Sequence, residues 1–408
     1  MNSKFSRRSL MQGAGALAGV AAASKLTGAS GLITSTAHAQ VAAEKPALLV
    51  VYLNGGYNAL FPSADSFLGV SGNNFGVTGA NMVKDLGNGL MVDAQTYGTL
   101  PTYALQHMAS VGVRHGLTAH GAAQAANFTV MNRSSLLMLA SAMGGDAAIK
   151  AVQSGNQGLP GPKTPEGGVS LQTITDMKST IAALGGASDP TIPDRTIAAA
   201  GLEAAQTMSD ARLKPSPLML ASAKEGYAAG IDTLKKPVQM FNYNAMAQAY
   251  ALPQNNGVYA TAVNNFTAQI ACAELMITAG ANVVAVSNGG WDTHGDSNGQ
   301  TVRNKMNQTI LPALKVFINR MMNLPDRNVA VVIYGDFARS LPGSDHASAL
   351  TATVIGKYVK VGTTGKVNAN VTLPAGSPAV PGLYAYLASI LKTPGQPFGA
   401  NPHPTITL

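Results

Sequence analysis

Three short segments concentrate the residues that could do chemistry: Asp292-Thr293-His294, Asp336-Phe337-Ala338-Arg339 and Asp345-His346. The 408-residue chain has only seven histidines and 11% charged residues, so two histidines beside carboxylates form a marked local enrichment. Carboxylate oxygens and imidazole nitrogens together are the usual donor set for a borderline dication such as Zn²⁺ or Mn²⁺. Asp292 and His294 are two positions apart, so in an extended loop their side chains point the same way and can share one ion. The glycines around them permit close backbone approach. A plainer role is also open to these residues, with Asp292 capping the next helix and His294 lying on the surface. Trp291, the only tryptophan, is expected to pack beneath this loop.

Each segment comes after an apolar run that can position it. Ala47–Leu53, Asn282–Ser287 and Asn328–Tyr334 are continuous aliphatic stretches ending at Gly or Asn. Runs of this length and composition read as strands buried on both faces of a parallel sheet. Helical patterns at Thr261–Ala279 and Val302–Met322 alternate with them. The expected fold is therefore α/β, with a mostly parallel central sheet and helices on both faces. In such sheets ligands bind beyond the carboxyl ends of the strands, where all three polar segments fall. Gly155–Gly168 reads as a turn-rich insert and Ala198–Tyr250 as helix-prone, which together suggest a helix-rich insert over about 155–255. The stretch from Gly356 to Leu373 reads as edge strands or a hairpin, and Leu383–Leu391 as a terminal helix.

A fourth segment, Arg114-His115-Gly116-Leu117-Thr118-Ala119-His120, suits a strand leading into a loop. Arg114 could hold an anionic ester there by a bidentate contact, and Arg339 could do the same at its own strand end. His107 and His403 read as exposed residues without a role.

The N-terminus carries its own signal. Ser6-Arg7-Arg8-Ser9-Leu10-Met11, a weakly apolar run and Ala37-His38-Ala39-Gln40 match a twin-arginine export peptide with a small-residue cleavage site. The expected division is residues 1–39 as signal peptide and 40–408 as one mature domain, located in the periplasm or outside the cell after passage through the twin-arginine translocase. Residues 1–40 hold four basic groups and no acid, so the net charge of +8 falls to +4 in the mature chain, 23 basic against 19 acidic residues. No dense Lys/Arg block remains, which argues against nucleic-acid binding. No internal apolar run reaches the ~18 residues of a membrane helix. Cys272 has no internal partner and reads as a buried small hydrophobe.

Taken together, Gly55-Gly56-Tyr57-Asn58-Ala59-Leu60-Phe61-Pro62, Gly289–His294, Asp336–Arg339 and Asp345-His346, behind a twin-arginine signal, resemble the exported family called domain of unknown function 1501. That family is placed in the alkaline phosphatase-like superfamily of sulfatases and phosphomutases. The resemblance implies one or two divalent ions at the strand ends and hydrolysis of small anionic esters. It implies ligand positions at Asn58, His120, Asp292, His294, Asp336, Asp345 and His346. Where the family has Asp at the first strand, this chain has Asn58, which offers a carbonyl oxygen without a charge. Asp336 stands where the family has Glu, and Ala338 where it has Gly. The family's Ser-His-Phe segment is matched by Ala119-His120-Gly121; its serine is absent, and Thr118 is the nearest hydroxyl. Two functions are consistent with these residues: a metal-dependent phosphate- or sulfate-ester hydrolase, or a non-catalytic exported binding or envelope-assembly protein with a degenerate metal site.

Overall fold

Seven consecutive residues, Ala47 to Leu53, are withdrawn from water, and they set the centre of the molecule. The computed structural model describes residues 44–70, 76–185, 241–296, 298–340, 344–367 and 373–408, with isolated positions between 197 and 208. The export signal read at residues 1–39, and most of the helix-prone stretch 198–250, lie outside the described residues.

The strands that matter, in chain order, are β1 (Lys45–Leu53), β2 (Tyr57–Asn58), β3 (Met108–Arg114), β4 (Ala151–Ser154), β5 (Leu171–Ile174), β6 (Val283–Asn288), β7 (Arg327–Gly335), β8 (Ala338–Ser340), β9 (Asp345–His346), β10 (Ala349–Gly356) and β11 (Gly362–Thr363). Eight of them form one sheet in the order β11-β3-β10-β7-β1-β6-β4-β5. All pairings are parallel except the two made by β10, which runs against both β7 and β3. The expected mostly parallel α/β sheet is thus present, with one interior strand reversed. β2, β8 and β9 make a small second sheet beside the ends of β1 and β7.

Alternation along β1 divides the core in two. Leu49, Val51 and Leu53 join one apolar cluster with helices α4 (Phe266–Thr278) and α5 (Leu311–Met321). Leu48, Val50 and Tyr52 join the other with α2 (Ser135–Ala142) and α6 (Pro381–Ile390). Each fully buried Leu or Val contributes about 1.5–3 kcal/mol to folding, so a strand buried on both faces firmly anchors the loop at its end. Cys272 lies inside α4, and burial pushes its thiol up to about 12, as befits an inert small hydrophobe.

Within the region read as a helix-rich insert, the described residues include helix α3 (Met177–Gly185) and also Leu171–Ile174, an edge strand pairing parallel with β4 that the sequence reading does not mark. Four residues are too few to display a period. His403, read as exposed, is 1% exposed, with its ring edge-on to Tyr386. Among the described residues no helix is long and apolar enough to cross a membrane.

Candidate metal centre

β1, β6 and β7 are neighbours and all point one way, so their last residues deliver three loops to the same place. The first turn is Gly55-Gly56, both at positive φ (116° and 126°). A Cβ on Gly55 would run into the Trp291–Asp292 backbone, and one on Gly56 into the Arg339 side chain. Only glycine therefore lets the three loops close on one another.

The second loop is fixed from beneath. Trp291 is buried, as expected; its Nε1 donates to Asn288 Oδ1 at 2.9 Å and its ring meets Phe61 edge-on. Lys305 donates to the carbonyls of Gly289 and Gly290 at 2.5 and 2.7 Å. The helix after the loop is capped by Asp296, whose carboxylate accepts from Thr301 N and Val302 N at 3.3 and 3.0 Å. Capping therefore falls to Asp296, and Asp292 is left for another role.

That role is in a cluster. One ligand atom each from His120, Asp292, His294 and His346 lie within 4.8 Å of one another. His120 opens helix α1 (His120–Asn127), where the sequence suggests a loop. Its Nδ1 lies 2.6 Å from Asp336 Oδ2, and Nε2 lies 3.6 Å from Asp292 Oδ2. His294 Nε2 is 3.5 Å from Asp292 Oδ1 and 2.8 Å from His346 Nε2. His346 Nδ1 lies 2.7 Å from the main-chain carbonyl of Thr118.

The partners assign the protons. A carboxylate opposite His120 Nδ1 and a carbonyl opposite His346 Nδ1 can only accept, so both rings carry hydrogen on Nδ1. Both Nε2 lone pairs then face the cluster, which is the orientation a metal-binding imidazole needs. Burial, then the nearby Arg339, His294 and His120 charges, hold His346 below its ordinary value; the carbonyl bond opposes them. The His294 and His346 nitrogens are so close that a proton or a cation must lie between them to offset lone-pair repulsion. The donor set of three imidazoles and one carboxylate fits Zn²⁺ or Mn²⁺.

Asp336 is fully buried behind His120 and does not belong to the cluster itself. Its Oδ2 accepts from Gly55 N at 3.2 Å and Gln124 Nε2 at 3.0 Å, and its Oδ1 from the Tyr52 hydroxyl. Burial and the Asp336 charge keep that phenol protonated, far above its ordinary value. Neither Tyr52 nor Gln124 stands out in the sequence. Gln124 is four residues after His120 and shares its helix face, a signal available only once that segment is read as helix.

Arg339 is buried completely, and its donors are committed. Nε donates to Gly55 O and Nη1 to Ser344 O, both at 2.7 Å. Nη2 donates to Asp292 Oδ1 at 2.6 Å and lies 3.2 Å from His346 Nε2. Burial lowers its pKa, while Asp292, Asp336 and Asp345 oppose that shift; it remains a cation.

The other candidates are placed apart. Asn58 is buried with Oδ1 accepting from Leu60 N at 3.0 Å, and its Nδ2, a donor, is without a partner. Its carbonyl is thus in use, and its remaining group cannot ligate a cation. Asp345 is exposed and accepts from the amide of His346 at 2.8 Å. Arg114 Nη2 donates to the carbonyls of Leu373 and Pro374, at 2.7 and 2.8 Å, so it is tied to the chain rather than to the cluster. Thr118 reaches the site through its carbonyl.

A family model described as protein of unknown function DUF1501 matches residues 195–372. The matched stretch carries Asp292, His294, Asp336, Arg339 and His346, and leaves out His120 and the Gly55-Gly56 turn. No curated protein and no solved structure matches the chain.

Proposed function

We propose that the chain is an exported metal-dependent hydrolase of phosphate or sulfate esters, holding one divalent ion at His120, Asp292, His294 and His346. The reading is carried by that cluster, in which two imidazoles are oriented by acceptors on their far nitrogens. When bound, Zn²⁺ or Mn²⁺ supplies Lewis-acid polarisation of an ester oxygen. Asp336 keeps the proton of His120 on Nδ1 and so keeps Nε2 available. Asp292, Asp336 and the exposed Asp345 contribute three negative charges and Arg339 one positive, so a dication takes the local sum to zero and itself supplies the attraction for an anionic ester. The same guanidinium, against Asp292 and His346, leaves a second dication facing like charge, which is why we infer one ion. Half-exposed Asp292 and His294 open the cluster to solvent and to a substrate. The alkaline phosphatase-like fold and delivery to the periplasm by the twin-arginine translocase belong to the same proposal, supported by Arg7-Arg8 and the strand-end motifs.

The test is the double variant Asp292→Ala/His294→Ala, purified beside the parent, with metal content, melting and aryl phosphate and aryl sulfate hydrolysis measured. Loss of about one bound ion per chain, a lower melting temperature and loss of metal-dependent hydrolysis are expected, since binding to the folded state stabilises it. Unchanged metal content and melting would refute the site. One observation favours the second reading, a non-catalytic exported protein: the guanidinium groups of both candidate anion clamps, Arg114 and Arg339, donate to protein acceptors. A metal-loaded parent that hydrolyses neither ester would establish it.

A further inference from the structure

At the opposite end of the sheet from Asp336, a cleft of about 620 Å³ lies where β3 and β7 begin and β10 ends. Its walls include Met322, Leu324 and Pro325, and its polar side chains include Asn323, Lys357 and Lys392. The volume falls within the range of small-molecule sites, about 300–1,000 Å³. Two of its polar atoms, Tyr103 Oη and His107 Nδ1, are buried and lack a hydrogen-bond partner. Being closed to water, these two atoms lie behind the wall, so recognition of a ligand falls to the lysines.

The two lysines differ in what they already hold. Lys357 is ion-paired with Glu44, and Glu44 also accepts from the Tyr358 hydroxyl at 3.1 Å. Lys392 stands over the Tyr358 ring, 4.3 Å from its centre, and has only a long contact of 3.4 Å to the main-chain oxygen of Leu408. Its ammonium therefore retains donors for a ligand.

The backbone at Lys392 adds an independent observation. It comes just after α6 with φ of 54°, and the amides of Lys392 and Thr393 return to Ser389 O and Ala388 O at 3.1 and 2.9 Å. That is the Schellman helix end, whose left-handed position is usually glycine. A lysine there holds a conformation its side chain disfavours, and its ammonium reaches Tyr358 and Leu408, two other residues of the cleft wall.

We propose that this cleft binds a small amphipathic monoanion, a carboxylate head on an apolar body. The head would lie on Lys392, and the body on Met322, Leu324 and Pro325. The site is separate from the metal cluster and does not depend on its chemistry.

Decanoate and decan-1-ol, titrated calorimetrically into the full chain, its Lys392→Gly variant and its Asp292→Ala variant, test this. Saturable 1:1 binding of decanoate is expected, weakened about tenfold by Lys392→Gly because a charge-assisted contact is lost. Decanol should bind the parent more weakly and be indifferent to Lys392→Gly, and Asp292→Ala should leave decanoate binding intact. Glycine suits the left-handed position, so Lys392→Gly should melt within about 3 °C of the parent. No saturable decanoate binding, or equal loss of acid and alcohol in Lys392→Gly, would overturn the proposal. So would decanoate binding that disappears with Asp292→Ala.

Discussion

Replacing Asp336 by Asn separates orientation of the metal centre from the centre itself. The substitution keeps the shape of a side chain with no exposure and removes its charge. Oδ2 of Asp336 accepts from Gly55 N, Gln124 Nε2 and His120 Nδ1, whereas Oδ1 accepts only from Tyr52. An asparagine oxygen in the Oδ2 position keeps the three-donor side. The new amide then faces Tyr52, whose hydroxyl can turn to accept. Folding should survive, because weaker hydrogen bonds are offset by no longer burying a charge. The loss should concentrate on His120, whose Nδ1 exchanges a carboxylate for an amide and whose Nε2 becomes less basic. Losing such an outer partner costs about 10–100-fold in metal affinity, or about 1.4–2.8 kcal/mol. Chelator competition for Zn²⁺, run on parent, Asp336→Asn and His120→Ala with melts alongside, measures it. The expected order of affinity is parent, then Asp336→Asn, then His120→Ala. If Asp336→Asn binds as tightly as the parent while His120→Ala does not, orientation by Asp336 is wrong. If both bind as tightly, His120 is no ligand.

Acid should weaken the fold at histidines kept neutral by burial. His403, 1% exposed with Nε2 unpaired, is held at about 4 by burial, and His115 likewise at about 4. The folded values lie below the ordinary 6.5, so the unfolded chain takes up these protons first, and stability falls as pH drops from about 6.5 to about 4. The slope is at most about 1.4 kcal/mol per pH unit for each histidine; melts from pH 7 to 4 should be flatter for His403→Leu than for the parent. Export should fail when Arg7 and Arg8 become lysine, leaving unprocessed precursor in the cytoplasm on fractionation. Normal processing of that variant would remove the twin-arginine reading.

The sheet is legible in the sequence because its central strands are buried on both faces. Ala47–Leu53, Asn282–Ser287 and Asn328–Tyr334 are apolar except at their ends in β1, β6 and β7, and the structure moves those ends by no more than two residues. Leu171–Ile174 escapes notice because an edge strand with two exposed residues carries no continuous run. At the site, Asp292, His294 and His346 are legible as carboxylate and imidazole at strand ends. The separate positions of Asp336 and Asp345 are not: a carboxylate three residues from Arg339 looks the same in sequence whether it meets an ion or a histidine. Burial distinguishes them, since Asp336 is sealed beneath His120 and Asp345 is exposed beside its own strand partner.

Arg339 is where sequence and geometry part most instructively. Read as a strand-end arginine, it is a hand for an anion; buried and fully engaged, it is part of the wall. Its three nitrogens join the Gly55 turn, the Ser344 carbonyl, Asp292 and His346, so it ties the loops after β1, β6 and β7 together. A lysine cannot replace it, because one ammonium cannot span acceptors spread across a planar fork. The charge it leaves in the site also makes the Asp292 carboxylate tolerable in the absence of any ion. With a permanent cation bonded to Asp292 and within reach of His346, the loops can assemble without an ion, as the proposed one-ion centre requires.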